Sequence, residues 1–481
     1  MTDTAARPAA LVRALGLGDV VLMTVVAVVS LRWIPWAARA GAASITLWLL
    51  AAVAFFLPLA AALIALSRRY PAQGGLYAWT RRAFGPGHGF VCGWCLWVNN
   101  LFYFPSLMLF GAANALVVGG ASWRGAADSH AYSIAYVLAG IWLAASVNIA
   151  GFKTGRWVQN IGTIGVWIPA TLLMGAGALA LVTTGPATSF RAAELLPSSE
   201  GGALGSIALW SAMCFAFSGF EITSLVGLEV RDPHRTVPRG VLLAGAAVTV
   251  IYVLGSAALL IAVPAGALHE RSGITDAVDV VGSRLGLPAL GWMTGGLLAL
   301  AAFAGTFSWM AGAARVPFAA GVDGAMPSWL GRLHARYRTP HLALLAQGAL
   351  SSAIFLASAF LTVTGTRTSI RDAYDVLVNL TILVYFVPYV YLFLAVPRLV
   401  GHATVPLRFA AGVGAAATMI AIGLLFVPPP GTRSVVNYEA SLVMQSAAVI
   451  GAGLFFYRRR APVMAAGEGG ESSTPSGTGR G

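Results

Sequence analysis

The chain has 481 residues, 58% of them hydrophobic and only 10% charged, with a mean hydropathy of +0.78. Those values exclude a water-soluble globular domain and mark an integral membrane protein. The formal net charge of +13 would raise the question of nucleic acid in a soluble chain; here it follows from membrane topology, and no nucleic-acid partner is expected.

Apolar stretches of about 20 residues, each sufficient to cross a hydrocarbon core of about 30 Å as a helix, recur from end to end. About twelve are expected, near residues 17–38, 44–66, 88–118, 131–150, 157–183, 203–227, 240–263, 287–313, 341–362, 376–396, 407–427 and 440–457. With residues 1–15 in the cytoplasm, 21 of the 30 Lys and Arg residues fall on the cytoplasmic side, eight on the opposite side, and Arg32 lies within the first span. This bias is expected to place both termini in the cytoplasm, with the chain integral to the cytoplasmic (inner) membrane. The first span exceeds a signal-peptide core and is followed by no small-residue cleavage site, so it is read as retained.

Along the chain, the first span carries Val29-Ser30-Leu31-Arg32-Trp33 and then Pro35, which removes one backbone donor and clashes with the preceding turn. In the third, Cys92-Gly-Trp-Cys95 has the spacing of a redox pair but lies between Phe90 and Trp97 inside a span; Cys92, Cys95 and Cys214 are expected to pack as small hydrophobes. The sixth span carries Phe217-Ser218-Gly219-Phe220 and then Glu221. Gly there costs about 1 kcal/mol relative to Ala, and a charge near mid-bilayer costs several unless it is paired or faces a cavity.

Lipid offers the backbone no hydrogen bonds, so spans break only where protein or a water-filled cavity supplies partners. Two interrupted helices five spans apart, running in opposite directions, are the signature of an inverted-repeat transporter. A kink at Pro35 and a helix contact at Gly219 are the plainer readings. The tail from residue 458, rich in Gly, Ser and Glu after Arg460, has nothing apolar to bury and is expected to be disordered.

Three stretches carry a family likeness: Phe217-Ser-Gly-Phe-Glu221 with Glu229-Val-Arg-Asp-Pro-His-Arg-Thr-Val-Pro238; Arg68-Arg-Tyr-Pro-Ala-Gln-Gly-Gly-Leu-Tyr77; and Arg315 through Asp323-Gly-Ala-Met-Pro327 with Thr339-Pro340. Through them the chain resembles the amino acid/polyamine/organocation permeases over nearly its whole length. The resemblance implies a LeuT-like fold, a five-plus-five inverted repeat with broken helices 1 and 6 and two further C-terminal helices, working by alternating access. The implied organisation is a first repeat at 16–184, a second at 202–397, the last two spans at 406–457 and the tail at 458–481.

The same resemblance implies a substrate site at the two breaks. In the first, family members bind a substrate carboxylate with a Gly-x-Gly turn; the matching Ser30-Leu31-Arg32, after Val29, has no glycine. In the sixth, Phe215 matches a gating aromatic, Glu221 the acid, and Ser218, Gly219 and Phe220 stand beside it. Cys95, Leu96 and Asn100 match pocket positions on span three, Tyr103 lies one turn beyond, and Trp309 matches a pocket-closing aromatic on span eight.

Three roles stay open for Glu221: a structural acid held by hydroxyls such as Thr223 or Ser224, a proton-responsive coupling or gating group, or a direct contact for a cationic substrate. Arg32 has three as well: partner of Glu221, clamp for a substrate carboxylate, or a snorkelling side chain. Val166 stands where some proton-coupled relatives have a lysine, and Thr306 and Ser308 have hydroxyls of the kind sodium-coupled relatives use; proton coupling or exchange is the favoured reading. Amino acids or related amines are the expected substrates. The alternatives are a polyamine or amine transporter and a non-transporting sensor on the same fold. A major-facilitator transporter would need a long basic loop after span six, where the link is only about residues 229–239. No enzyme, cofactor or metal role is expected, since no intramembrane His pair or His-Cys cluster is present.

Overall fold

The computed structural model describes residues 16–70, 75–197, 203–221, 230, 232–317, 326–363, 370–401, 403–427 and 435–470. No strand runs through these residues; their regular structure is helical. In chain order the helices are α1 (Leu17–Val28), α2 (Trp33–Ala38), α3 (Ala43–Ala51), α4 (Leu57–Arg69), α5 (Gly75–Phe84), α6 (Pro86–Ala115), α7 (Ala121–Arg124), α8 (His130–Ala150) and α9 (Phe152–Thr183). There follow α10 (Ala203–Ala208), α11 (Trp210–Ala216), α12 (Pro233–Ala262), α13 (Gly273–Arg284), α14 (Ala289–Ala313), α15 (His341–Val363), α16 (Ile370–Leu399), α17 (Val405–Leu424) and α18 (Val435–Gly470).

Among the described residues, ten helices are long and apolar enough to cross a membrane, and two shorter apolar helices, Leu17–Val28 and Leu204–Ala216, accompany them. The short ones lie in the first and sixth expected spans, because the chain leaves the helical path there: after Val28, and after Ala216. Large apolar side chains such as Leu22, Val53 and Leu143 remain on the outside, each more than half exposed. With ten such helices, this is the surface of an integral membrane protein. Helix α18 runs on through Gly470 into the segment expected to be disordered from residue 458, and residues 471–481 lie outside the described part.

The chain divides into two compact units. The first comprises residues 1–89, 169–290 and 386–432. Its spine is α12, against which α1, α2 and α3 lie, and glycines on α12 let them approach: Gly240 faces Val20, Gly245 faces Phe56 and Gly255 faces Ile34. Between α3 and α4 the ladder widens into a π-turn at Ala52–Phe56. The extra residue lets two consecutive rings both face inward. Phe55 meets Phe386, Tyr389 and Phe393, while Phe56 meets Phe217 and Phe220.

The second unit comprises residues 90–168, 291–385 and 433–481. Polar side chains here bind carbonyls of neighbouring helices: Ser351 Oγ donates to Leu101 O at 2.7 Å, Asn148 Nδ2 to Phe307 O at 3.0 Å, and Thr339 Oγ1 to Ile149 O at 2.9 Å. Such bonds fix the register of helices that no hydrophobic effect sorts inside a bilayer.

Close approach at glycine yields a test with its own control. A Cβ added at Gly177 on α9 would fall 2.5 Å from both Cα and Cβ of Ala258 on α12, whereas one added at Gly175 meets nothing within 4 Å. Gly177→Ala is therefore expected to destabilise the purified protein by about 1–3 kcal/mol, and Gly175→Ala to leave its thermal unfolding unchanged or slightly raised. Equal melting of the two variants would refute this packing.

Candidate functional site

Both breaks belong to the first unit, and each frees backbone groups that lipid cannot satisfy. After α1, Val29 is extended (φ −67°, ψ 117°), and the chain regains helical dihedrals at Arg32 (φ −60°, ψ −22°), where Trp33 N–H bonds Ser30 O at 3.1 Å. No residue in this segment takes a positive φ, so the turn expected to suffer for lack of glycine forms from extended and right-handed residues alone. The second break differs. Gly219 has φ +100°, a left-handed conformation in which any side chain is strained.

One hydroxyl serves both breaks. Tyr252, fully buried on α12, accepts the Ser30 N–H at 3.2 Å, and the single proton it carries faces the carbonyls of Val28 and Ala216, each 3.4 Å away. Its ring stacks on Trp48 at 4.4 Å and 11°, and the Trp48 indole N–H is in turn held by Ser256 Oγ at 2.9 Å, one turn along α12. A second hydroxyl serves the sixth span alone. Tyr389 donates to Glu221 Oε2 at 2.9 Å and accepts the Gly219 N–H at 3.2 Å, while the same N–H reaches Glu221 Oε2 at 3.1 Å. Two donors on one carboxylate oxygen suit the acid as an acceptor.

Thus Glu221 has a hydroxyl partner, but from α16. Thr223 and Ser224, the partners considered from sequence, lie outside the described residues, as do Glu229 and Arg231 of the following loop.

Arg32 is fully buried, with its guanidinium 4.3 Å from the centroid of the Trp33 ring. It does not snorkel; the cation rests on an aromatic face, an arrangement worth about 2 kcal/mol when desolvated. Trp33 packs edge-on against Phe215 at 5.4 Å, and Phe215 against Phe386 at 6.3 Å. Of the expected site residues in this unit, Val29, Leu31, Phe215, Gly219 and Phe220 are buried, Phe220 beneath Phe56 at 4.7 Å. Ser30, Ser218 and Glu221 are the half-buried ones.

In the second unit, Tyr103 and Trp309 come together with rings 6.1 Å apart. Asn100 turns its amide back to Leu96 O at 2.8 Å, and Cys95 is buried, as are Cys92 and Cys214; none of the three forms a disulfide. Thr306 Oγ1 is buried with no hydrogen-bond partner among the described residues.

Tyr252 and Tyr389 escaped the sequence reading. Their signal was position: tyrosine favours membrane interfaces, and one buried at mid-span must find a polar partner. Tyr252→Phe keeps the ring on Trp48 but strips Ser30 N–H and two carbonyls of their partner. A loss of about 1–3 kcal/mol is expected, read as a lower melting temperature and faster hydrogen exchange at Ser30; exchange unchanged at Ser30 would remove the tyrosine from this role.

Comparison with known proteins agrees with this architecture. The amino acid permease family model matches residues 15–463. An uncharacterised transporter of Legionella pneumophila is 28% identical over 87% of this chain and 90% of its own. A probable agmatine/putrescine antiporter of Lactococcus lactis is 26% identical over 60% of each chain, and a serine/threonine exchanger of Bacillus subtilis 28% identical over 61% of this chain and 64% of its own. With the family model spanning nearly its full length, the chain belongs to the amino acid permease family.

Proposed function

We propose that this permease is a secondary active transporter of amino acids or related amines, working by alternating access, with both termini in the cytoplasm. The observation that carries the reading is the pair of helix breaks in one unit, with half-buried Ser30, Ser218 and Glu221 at them and their freed backbone held by two tyrosine hydroxyls. Irregular backbone at membrane depth is tolerated where protein or a water-filled cavity supplies its partners, and paired broken helices of this kind are where transporters hold substrate. Glu221 is the coupling or gating group, by proton coupling or exchange: a carboxylate bonded through Tyr389 and Gly219 N–H to the segment that must move changes those bonds when it is protonated or meets a cation. Arg32, beside the first break, is the candidate for a substrate carboxylate, in place of the glycine turn that the chain lacks.

A second reading, transport of amines without a carboxylate, is favoured by the half-buried acid and by the likeness to an agmatine/putrescine antiporter. Melting of the purified protein with a panel of amino acids and their decarboxylated amines separates the two. A ligand at about 100 times its dissociation constant contributes about 2.7 kcal/mol. Stabilisation by amino acids, lost in Arg32→Gln, is the expected result. Stabilisation by amines alone, lost in Glu221→Gln, would replace it with amine transport.

A further inference from the structure

The last helix has two faces of opposite character. On one, Trp94 of α6 donates its indole N–H to Val449 O at 2.9 Å and lies so close to Gly453 that an added Cβ would fall 2.6 Å from the indole Cδ1. Phe456 meets the same tryptophan at 5.7 Å, and Tyr457 meets Phe90 at 5.4 Å. At about 100° per residue, the opposite face, roughly 180° away, carries Gly451, Leu454, Phe455, Arg458 and Arg459. These five line one shallow, open face of the helix. Leu454 and Phe455 are 40% and 51% exposed, and the Arg459 guanidinium sits 4.5 Å from the Phe455 ring centroid.

The order along this face is glycine and apolar side chains first, then two guanidinium groups where the candidate span Tyr438–Arg459 ends. A phospholipid has the same order, acyl chain and then phosphate. Guanidinium binds phosphate through paired N–H donors, and the Phe455 ring keeps Arg459 along the apolar face. A second copy is a poorer occupant, because a two-fold contact through this face would bring Arg458 and Arg459 of both copies together. We propose that this face binds one anionic phospholipid, with Arg458 and Arg459 holding the headgroup phosphate and an acyl chain lying along Gly451, Leu454 and Phe455.

The test compares the full chain in nanodiscs of phosphatidylcholine alone and of phosphatidylcholine with phosphatidylglycerol, reading lipid retained by native mass spectrometry. Two variants accompany it: Arg458→Gln with Arg459→Gln, and Gly451→Leu, at a position where an added Cβ meets nothing within 4 Å. The unmodified protein is expected to retain phosphatidylglycerol several-fold over phosphatidylcholine, each variant to lose most of that preference, and melting in phosphatidylcholine to stay the same. Equal retention of the two lipids, or a preference that survives both variants, overturns the proposal. So does full displacement by soluble glycerol phosphate, which would indicate a simple anion site, or a shift in oligomeric state with the arginine variant, which would indicate a second copy.

Discussion

The first unit rests on the bonds of a single phenol. Interrupting a helix inside a membrane exposes N–H and C=O groups that water cannot reach, each costing several kcal/mol if left alone. The Tyr252 hydroxyl answers that cost for both interruptions at once, accepting from Ser30 and facing the carbonyls of Val28 and Ala216. Trp48 fixes the phenol by stacking, and Ser256 fixes Trp48 by its hydroxyl, so the staple is held by a chain of contacts between α3 and α12. Because the two breaks share an anchor, displacing one disturbs the bonds of the other.

The two breaks solve the same problem differently. The sixth span uses the left-handed conformation of Gly219, which aims its N–H at Tyr389 and Glu221. The first uses no left-handed residue and puts a buried arginine against Trp33. The first break thus carries bulkier side chains than the second, and the cation and the acid belong to one unit. The π-turn serves this arrangement from behind: Phe55 packs on Tyr389 and Phe56 on Phe217 and Phe220, so one widened turn supports both the tyrosine and the break it holds.

Much of this was legible in the sequence, for identifiable reasons. Membrane residence follows from composition, and the breaks follow from residues that violate a span locally, Arg32 with Pro35 and Gly219 with Glu221. Burial of the three cysteines follows from their apolar neighbours. The partners of the breaks were not legible. Tyr252 lies 222 residues from Ser30 and Tyr389 lies 168 from Glu221, and nothing local distinguishes either from a packing aromatic. The π-turn escaped too, since Ala52-Val-Ala-Phe-Phe56 reads as any apolar helix. Two of about twelve expected spans proved to be short helices because the breaks that identify them also cut them.

The most direct test of the account is exchange flux in proteoliposomes loaded with the amino acid or amine that gives the largest melting shift, comparing the unmodified protein with Gly219→Ala. The account predicts uptake that depends on internal substrate and falls at least tenfold in the variant, whose left-handed backbone at the break is strained by a side chain. Binding without any flux in the unmodified protein would contradict it and make the molecule a sensor, as undiminished flux in Gly219→Ala would deny the break its part in transport.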